Sequence, residues 1–318
     1  MTVALVLLAY AACAGTGGAR LLARARWTAR APLLGILTYL AAGWSAVAAV
    51  GLAGVTLAVH GTALGGDLSQ VIGACVRRLR DLYAAPGGAT VAELGLILAG
   101  AVLARTALTT FGQLRTAGRQ AARHAHTARL AGQLEPGLGA VVLEHEQPAA
   151  YCVAGRCPTV VVTTGAMAAL APGQLDAVLA HERAHLAGRH HALKAAARIG
   201  RQVLPFMPLL RDAEAAVARL AELHADDAAA RTADRRALAT ALVVMASPAP
   251  QATPTPALAA AATDAVQRVH RLLGPAEPLS RPRRHLLRAT AAILAVAPVV
   301  VALAPAVAAL ALGKVPAA

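Results

Sequence analysis

The pentapeptide His181-Glu182-Arg183-Ala184-His185 spells H-E-x-x-H inside a stretch, roughly 174–189, that reads as helix. Two imidazoles four residues apart lie one turn apart on the same helical face, so both reach a single Zn²⁺. Glu182, between them, stands where a carboxylate can deprotonate a metal-bound water. The string predicts a catalytic metal site with His181 and His185 as ligands and Glu182 as base.

The surrounding composition is unusual for such a site. Of 318 residues, 57% are hydrophobic and 3% aromatic, and the mean hydropathy is +0.56. That is too apolar for an ordinary soluble domain and points to membrane spans around a smaller polar unit. The net charge of +14 is carried almost wholly by arginine, with lysine only at 194 and 314. Alongside a bias toward Ala, Arg and Gly, this charge suits a surface lying on anionic lipid headgroups. Direct nucleic-acid binding is not expected, because the arginines are scattered and no aromatic stacking platform accompanies them. Cys13, Cys75, Cys152 and Cys157 make no zinc-ribbon spacing.

Four apolar stretches read as transmembrane helices, at about 3–19, 32–59, 91–111 and 289–312. Only Met-Thr precedes the first, so it is expected to be a span rather than a secretory signal. Arg105 in the third reads as a snorkelling residue. Arginines at 20, 24, 26 and 30 follow the first span, those at 115, 119, 123 and 129 follow the third, and those at 281, 283, 284 and 288 precede the fourth. The positive-inside rule puts all three groups in the cytoplasm, with 60–90 outside despite Arg77, Arg78 and Arg80. The expected organisation is three spans in 1–111, a cytoplasmic metal-site domain in 112–288, and a fourth span with a short tail in 289–318. The middle region holds 13 of the 16 acidic residues. Within it, 113–133 reads as a basic helix, Val141–Leu143 and Thr159–Thr164 as short strands, 212–246 as further helix, and Ser247–Pro256 as a loop.

A hydrolytic zinc site needs three protein ligands and one open position. Two candidates exist for the third. Gly188 and His191 extend the motif to H-E-x-x-H-x-x-G-x-x-H, the metzincin pattern, although Met207 and Met245 look like packing residues rather than the methionine turn such a site needs. Alternatively, Arg189-His190-His191 is a solvated helix end and Glu222 supplies the carboxylate, sharing a helix face with Asp226, which orients a metal histidine. Glu222 is the stronger candidate. His224 falls on the opposite face and reads as structural, as do His124, His126 and His145.

Tyr151–Gly165, Leu175–His185 and Glu222-Leu-His-Ala-Asp226 together resemble the integral-membrane peptidases of the BlaR/MecR type, relatives of the HtpX and CAAX-processing proteases. The resemblance covers about 150–230. It implies a mostly α membrane protein with a gluzincin-type α+β zinc peptidase domain between the third and fourth spans. It further implies one Zn²⁺ on His181, His185 and Glu222, with Glu182 as base, and substrate backbone docked on Thr159–Thr164 as an edge strand. Beta-lactam receptors of that type carry a penicillin-binding sensor. Here no S-x-x-K motif follows Leu312, so acylation by a beta-lactam is not expected, while cleavage of a repressor protein is carried over by analogy. The expected partners are thus a protein or peptide substrate, the bilayer and a transcriptional repressor. HtpX-like quality control of membrane proteins and a non-catalytic membrane scaffold are the alternatives. An oxyanion donor is also expected, with His270, Arg271 and His285 as unranked candidates.

Overall fold

The structure, a computed structural model, describes residues 1–58, 88–155, 158–246, 256–275 and 277–311. Among the described residues, four helices are long and apolar enough to cross a membrane: Thr2–Ala23, Pro32–Ala58, Thr90–Gln120 and Arg281–Pro305. They lie in α1 (Thr2–Ala23), α2 (Pro32–Ala58), α3 (Gly88–Ala131) and α10 (Arg281–Ala311). α1 is interrupted by a π-helical turn at Ala14–Gly18. The loop expected outside, with Arg77, Arg78, Arg80 and Cys75, lies beyond the described residues, as do Val59, Cys157 and most of the 247–256 loop.

The third apolar stretch and the basic helix after it form a single 44-residue helix, α3. Nothing breaks the chain between 111 and 113, because Gly112 and Gln113 are followed by helix formers and no proline. α3 ends in a four-stranded sheet of β1 (Gly132–Glu135), β2 (Ala140–Leu143), β3 (Ala150–Val153) and β4 (Thr159–Thr163), in the order β1-β2-β4-β3. β1 and β2 form an antiparallel hairpin whose turn closes at Gly139, in the left-handed region at φ 56°. β2 and β4 run parallel, and β3 runs antiparallel to β4, with Tyr151 opposite Val161. β4, whose Val160, Val161, Val162 and Thr163 are all buried, is therefore an inner strand. This corrects the expectation that 159–164 forms the edge. The edge on that side is β3, whose four mixed residues carry too little alternation to read as a strand.

After β4 the described elements are helices: α4 (Thr164–Ala169), α5 (Pro172–Ala187), α6 (His190–Val203), α7 (Pro208–Ala229), α8 (Arg235–Ala246) and α9 (Pro256–Leu273). Pro172 opens α5, where its missing N–H costs nothing, and Gln174 Oε1 accepts from the Ala171 N–H at 3.0 Å. Two helices, not one, fill 208–246, because the chain turns at 230–234.

Spans and polar unit share one core. Leu7, Ile36, Tyr39 and Ala46 from α1 and α2 cluster with Leu209, Leu210, Val217 and Leu220 from α7. α7 lies antiparallel along the first half of α2, with Leu220 against Gly35 and Leu210 against Gly43. A Cβ on Gly43 would stand 2.7 Å from Leu210 Cδ2, so the absent side chain is what lets the helices approach. Just before α2, Arg271 donates to the Ala29 carbonyl at 3.0 Å and Arg30 pairs with Glu277 at 2.5 Å. The basic loop after α1 and the stretch before α10 thus meet.

Gly43→Val should destabilise the protein by roughly 1–3 kcal/mol, the cost of overpacking, read as a lower thermal midpoint in detergent. Adding Leu210→Ala should recover part of the loss; an unchanged midpoint in the single variant would contradict this contact.

Candidate metal centre

α5 presents His181 and His185 on one face, and α7 brings Glu222 over them. The Nε2 atoms of the histidines lie 3.1 Å apart, and Glu222 Oε2 lies 3.5 Å from His181 Nε2 and 3.4 Å from His185 Nε2. One ligand atom from each falls within 4.8 Å of the others. Ligands at the ~2.0–2.2 Å of zinc bonds in a tetrahedron stand roughly 3.3–3.5 Å from one another. The spacing and chemistry of the three donors fit such an ion. His191 is exposed and joins nothing in this group.

Each donor is held from behind. Nδ1 of His181 lies 3.0 Å from Asp226 Oδ1, at ion-pair distance but without the alignment of a hydrogen bond. Asp226 is fully buried and takes two bonds from Arg268 of α9, at 2.7 and 2.8 Å. Glu222 turns its second oxygen to Lys194 Nζ at 3.0 Å. His185 Nδ1 meets His190 Nδ1 at 2.8 Å, and His190 Nε2 meets His224 Nδ1 at 2.8 Å.

That last chain corrects the reading of Arg189-His190-His191 as a solvated helix end. α5 stops at Ala187, Arg189 turns the chain in the left-handed region at φ 47°, and His190 starts α6 completely buried. Gly188 serves this turn: a Cβ there would stand 2.5 Å from His190 Nε2. If His185 offers Nε2 to a metal, its Nδ1 carries the proton and donates to His190, which donates onward to His224. A neutral His190 is required, and burial, His185, His224 and Lys194 push it down to about 3.

Electrostatics set the remaining protons. Burial opposes charge on His181, but Asp226 and Glu222 outweigh it and push the imidazole up to about 9. Burial likewise opposes charge on Glu222, yet the two histidines and Lys194 hold it well below the usual carboxylate range. Glu182 is moved the other way. Burial raises it, with Glu222 assisting and His181 and His185 opposing, which brings a carboxylate nearer to working as a proton acceptor at neutral pH. Its neighbour is Cys152 of β3, a free thiol that burial and Glu182 push up to about 12.

Sequence reasoning missed Lys194 and Arg268. Arg268 stands 3.5 Å from Glu222 Oε2 and 3.4 Å from His181 Nε2, facing the space the donors enclose. The oxyanion candidates named from sequence do not reach it. Arg271 is held by Asp227 at 2.7 and 2.8 Å, and His270 and His285 are exposed. Arg105 is likewise more than a snorkelling residue: its Nε donates to the Gln202 carbonyl at 2.7 Å, satisfying an orphan acceptor at the end of α6.

Four apolar helices joined to a His–His–Glu cluster support a membrane metallopeptidase. The chain is similar to peptidase family M48 over residues 110–213, a match that spans the second half of α3, the sheet, α5 and α6 and supports an M48-type metallopeptidase. The match covers His181 and His185 and ends before Glu222. No curated protein and no solved structure matches the chain.

In chelator-treated protein, pairing with Asp226 and Glu222 stabilises the fold below the ordinary histidine pKa of ~6.5, and this is lost as pH rises through about 9. The thermal midpoint should fall across that window, and Asp226→Asn should flatten the fall. Zn²⁺ needs the neutral imidazole, so zinc affinity should instead rise with pH over the same range. Separately, His190→Leu should weaken zinc binding about 10- to 100-fold, the usual effect of removing a metal ligand's hydrogen-bond partner, measured by competition with a chromogenic chelator.

Proposed function

We propose that the protein is a membrane-embedded zinc endopeptidase whose metal is held by His181, His185 and Glu222. The observation that carries this reading is the 3.1–3.5 Å spacing of those three donor atoms with Glu182 beside them and the last strand of the sheet, β3, adjoining. Zn²⁺ in such a cluster supplies a Lewis acid that acidifies water and polarises a carbonyl.

The chain's own residues do the rest. Glu182 takes a proton from the attacking water and delivers it to the leaving amine. Arg268, fixed by its two bonds to Asp226, directs the same guanidinium toward the donors and stabilises negative charge on the carbonyl oxygen. Substrate backbone adds to β3 along Ala150–Val153, the edge next to Glu182, where main-chain hydrogen bonds align the scissile bond. Lys194 and His190 position Glu222 and His185 without touching substrate.

The arginine groups after α1, within the second half of α3 and at the start of α10 orient the site toward the cytoplasm, with 112–288 as the peptidase domain. A cytoplasmic protein is then the substrate. The likeness to BlaR/MecR-type peptidases favours a transcriptional repressor, and hence a regulatory role in the cell membrane.

Glu182→Gln should keep stoichiometric zinc and lose peptide hydrolysis by at least about 10²-fold. Glu222→Ala should lower zinc occupancy, while His191→Ala should leave it unchanged. Turnover at the wild-type rate in Glu182→Gln would remove that residue as base. Zinc lost in His191→Ala and kept in Glu222→Ala would move the third ligand to His191. For Arg268, Arg268→Lys should depress kcat more than KM, since a point charge replaces a planar fork held by two bonds. Comparing the proteomes of cells carrying wild type and Glu182→Gln identifies the substrate.

A further inference from the structure

We infer a binding site for an anionic phospholipid in the cavity between α3 and the α6–α7 hairpin. The cavity measures 780 Å³, and its lining includes Arg105, Arg201, Arg211, Gln202, Leu108 and Pro205. Three arginines therefore line a space whose remaining walls are largely apolar, and no acidic residue among the described residues lines it. Arg201 is engaged from outside by Glu214 at 3.0 Å. Arg105 spends only Nε on the Gln202 carbonyl, and its terminal amino groups have no hydrogen-bond partner among the described residues. Arg211 is exposed, with no ion-pair partner among them.

Location selects the occupant. α3 is one of the four helices apolar enough to span a membrane, and on it Leu103, Leu108, Phe111 and Leu114 are each more than half exposed. Such a face is suited to acyl chains. The hairpin tip adds Phe206, 74% exposed, beside the cavity. The tip is also at the level where spans meet the polar unit, since Met207 packs on Gly15 of α1 and Leu210 on Gly43 of α2. Cations ringing an opening between apolar walls at that level match a lipid phosphate with its chains running along α3, the arrangement of basic pockets between membrane helices. A second basic cavity, beside Arg26 and Arg271, lacks this character, because Asp227 and Glu277 line it too.

The site is separate from the metal cluster, and its test needs no peptidase activity. Full-length protein in nanodiscs of mixed phosphatidylglycerol and phosphatidylcholine, released into detergent and weighed by native mass spectrometry, should retain phosphatidylglycerol over phosphatidylcholine. Arg211→Gln, which removes an exposed side chain with no ion-pair partner among the described residues, should reduce that retention about fivefold, and Arg201→Gln with Arg211→Gln should abolish it. Arg115→Gln with Arg119→Gln, on the same helix outside the cavity, should leave it intact. Equal retention of the two lipids, equal retention in Arg211→Gln, or displacement of the lipid by millimolar inorganic phosphate alone would overturn the proposal. The last result would assign the cavity to a free anion.

Discussion

Asp226 has no exposed surface, and a carboxylate removed from water is tolerated only when cations and donors replace the lost hydration. Its partners come from two other helices: Arg268 of α9 binds it through two nitrogens, and His181 of α5 sits at ion-pair distance. One buried charge therefore ties α5, α7 and α9 together. It also fixes His181 for its part in the donor cluster and aims Arg268 at that cluster. Breaking the set leaves an uncompensated buried ion, so the cluster and the packing around it stand or fall together.

α7 transmits this constraint to the membrane helices. Its apolar residues, Leu209, Leu210, Val217 and Leu220, pack into the core formed by α1 and α2, while Glu222 and Asp226 face the histidines of α5. The candidate metal centre is thus not suspended in a separate soluble lobe but includes a carboxylate on a helix whose other face belongs to the span bundle. Where α7 contacts α2, small residues replace side chains that the approach leaves no room for. In lipid surroundings such packing, rather than release of water, is what holds helices together.

The histidine chain shows how a local turn serves the centre. A left-handed Arg189 reverses the chain just after α5, Gly188 leaves room for an imidazole, and the buried His190 contacts both His185 and His224. Residues 181–191 written as a string satisfy a metzincin pattern, with His191 in the ligand position. A sequence pattern records spacing only, whereas the side that His191 faces depends on where α6 starts.

Periodicity and apolar run length are short-range properties, and what they govern was legible in the sequence: four long apolar helices, a helical H-E-x-x-H, two of the four strands, and a carboxylate pair at Glu222 and Asp226 set on one helical face. Other features depend on which helices pack together, and the sequence alone carried no sign of them. Arg268 is one arginine among many until α9 lays it against Asp226. Lys194 had only its rarity to mark it. β3 becomes the edge strand because β4 pairs on both sides, a matter of strand order rather than composition. Ligand type and spacing are encoded within one or two turns of helix, but charge partners, tautomers and edges are set by contacts between segments tens of residues apart, and those only the tertiary structure decides.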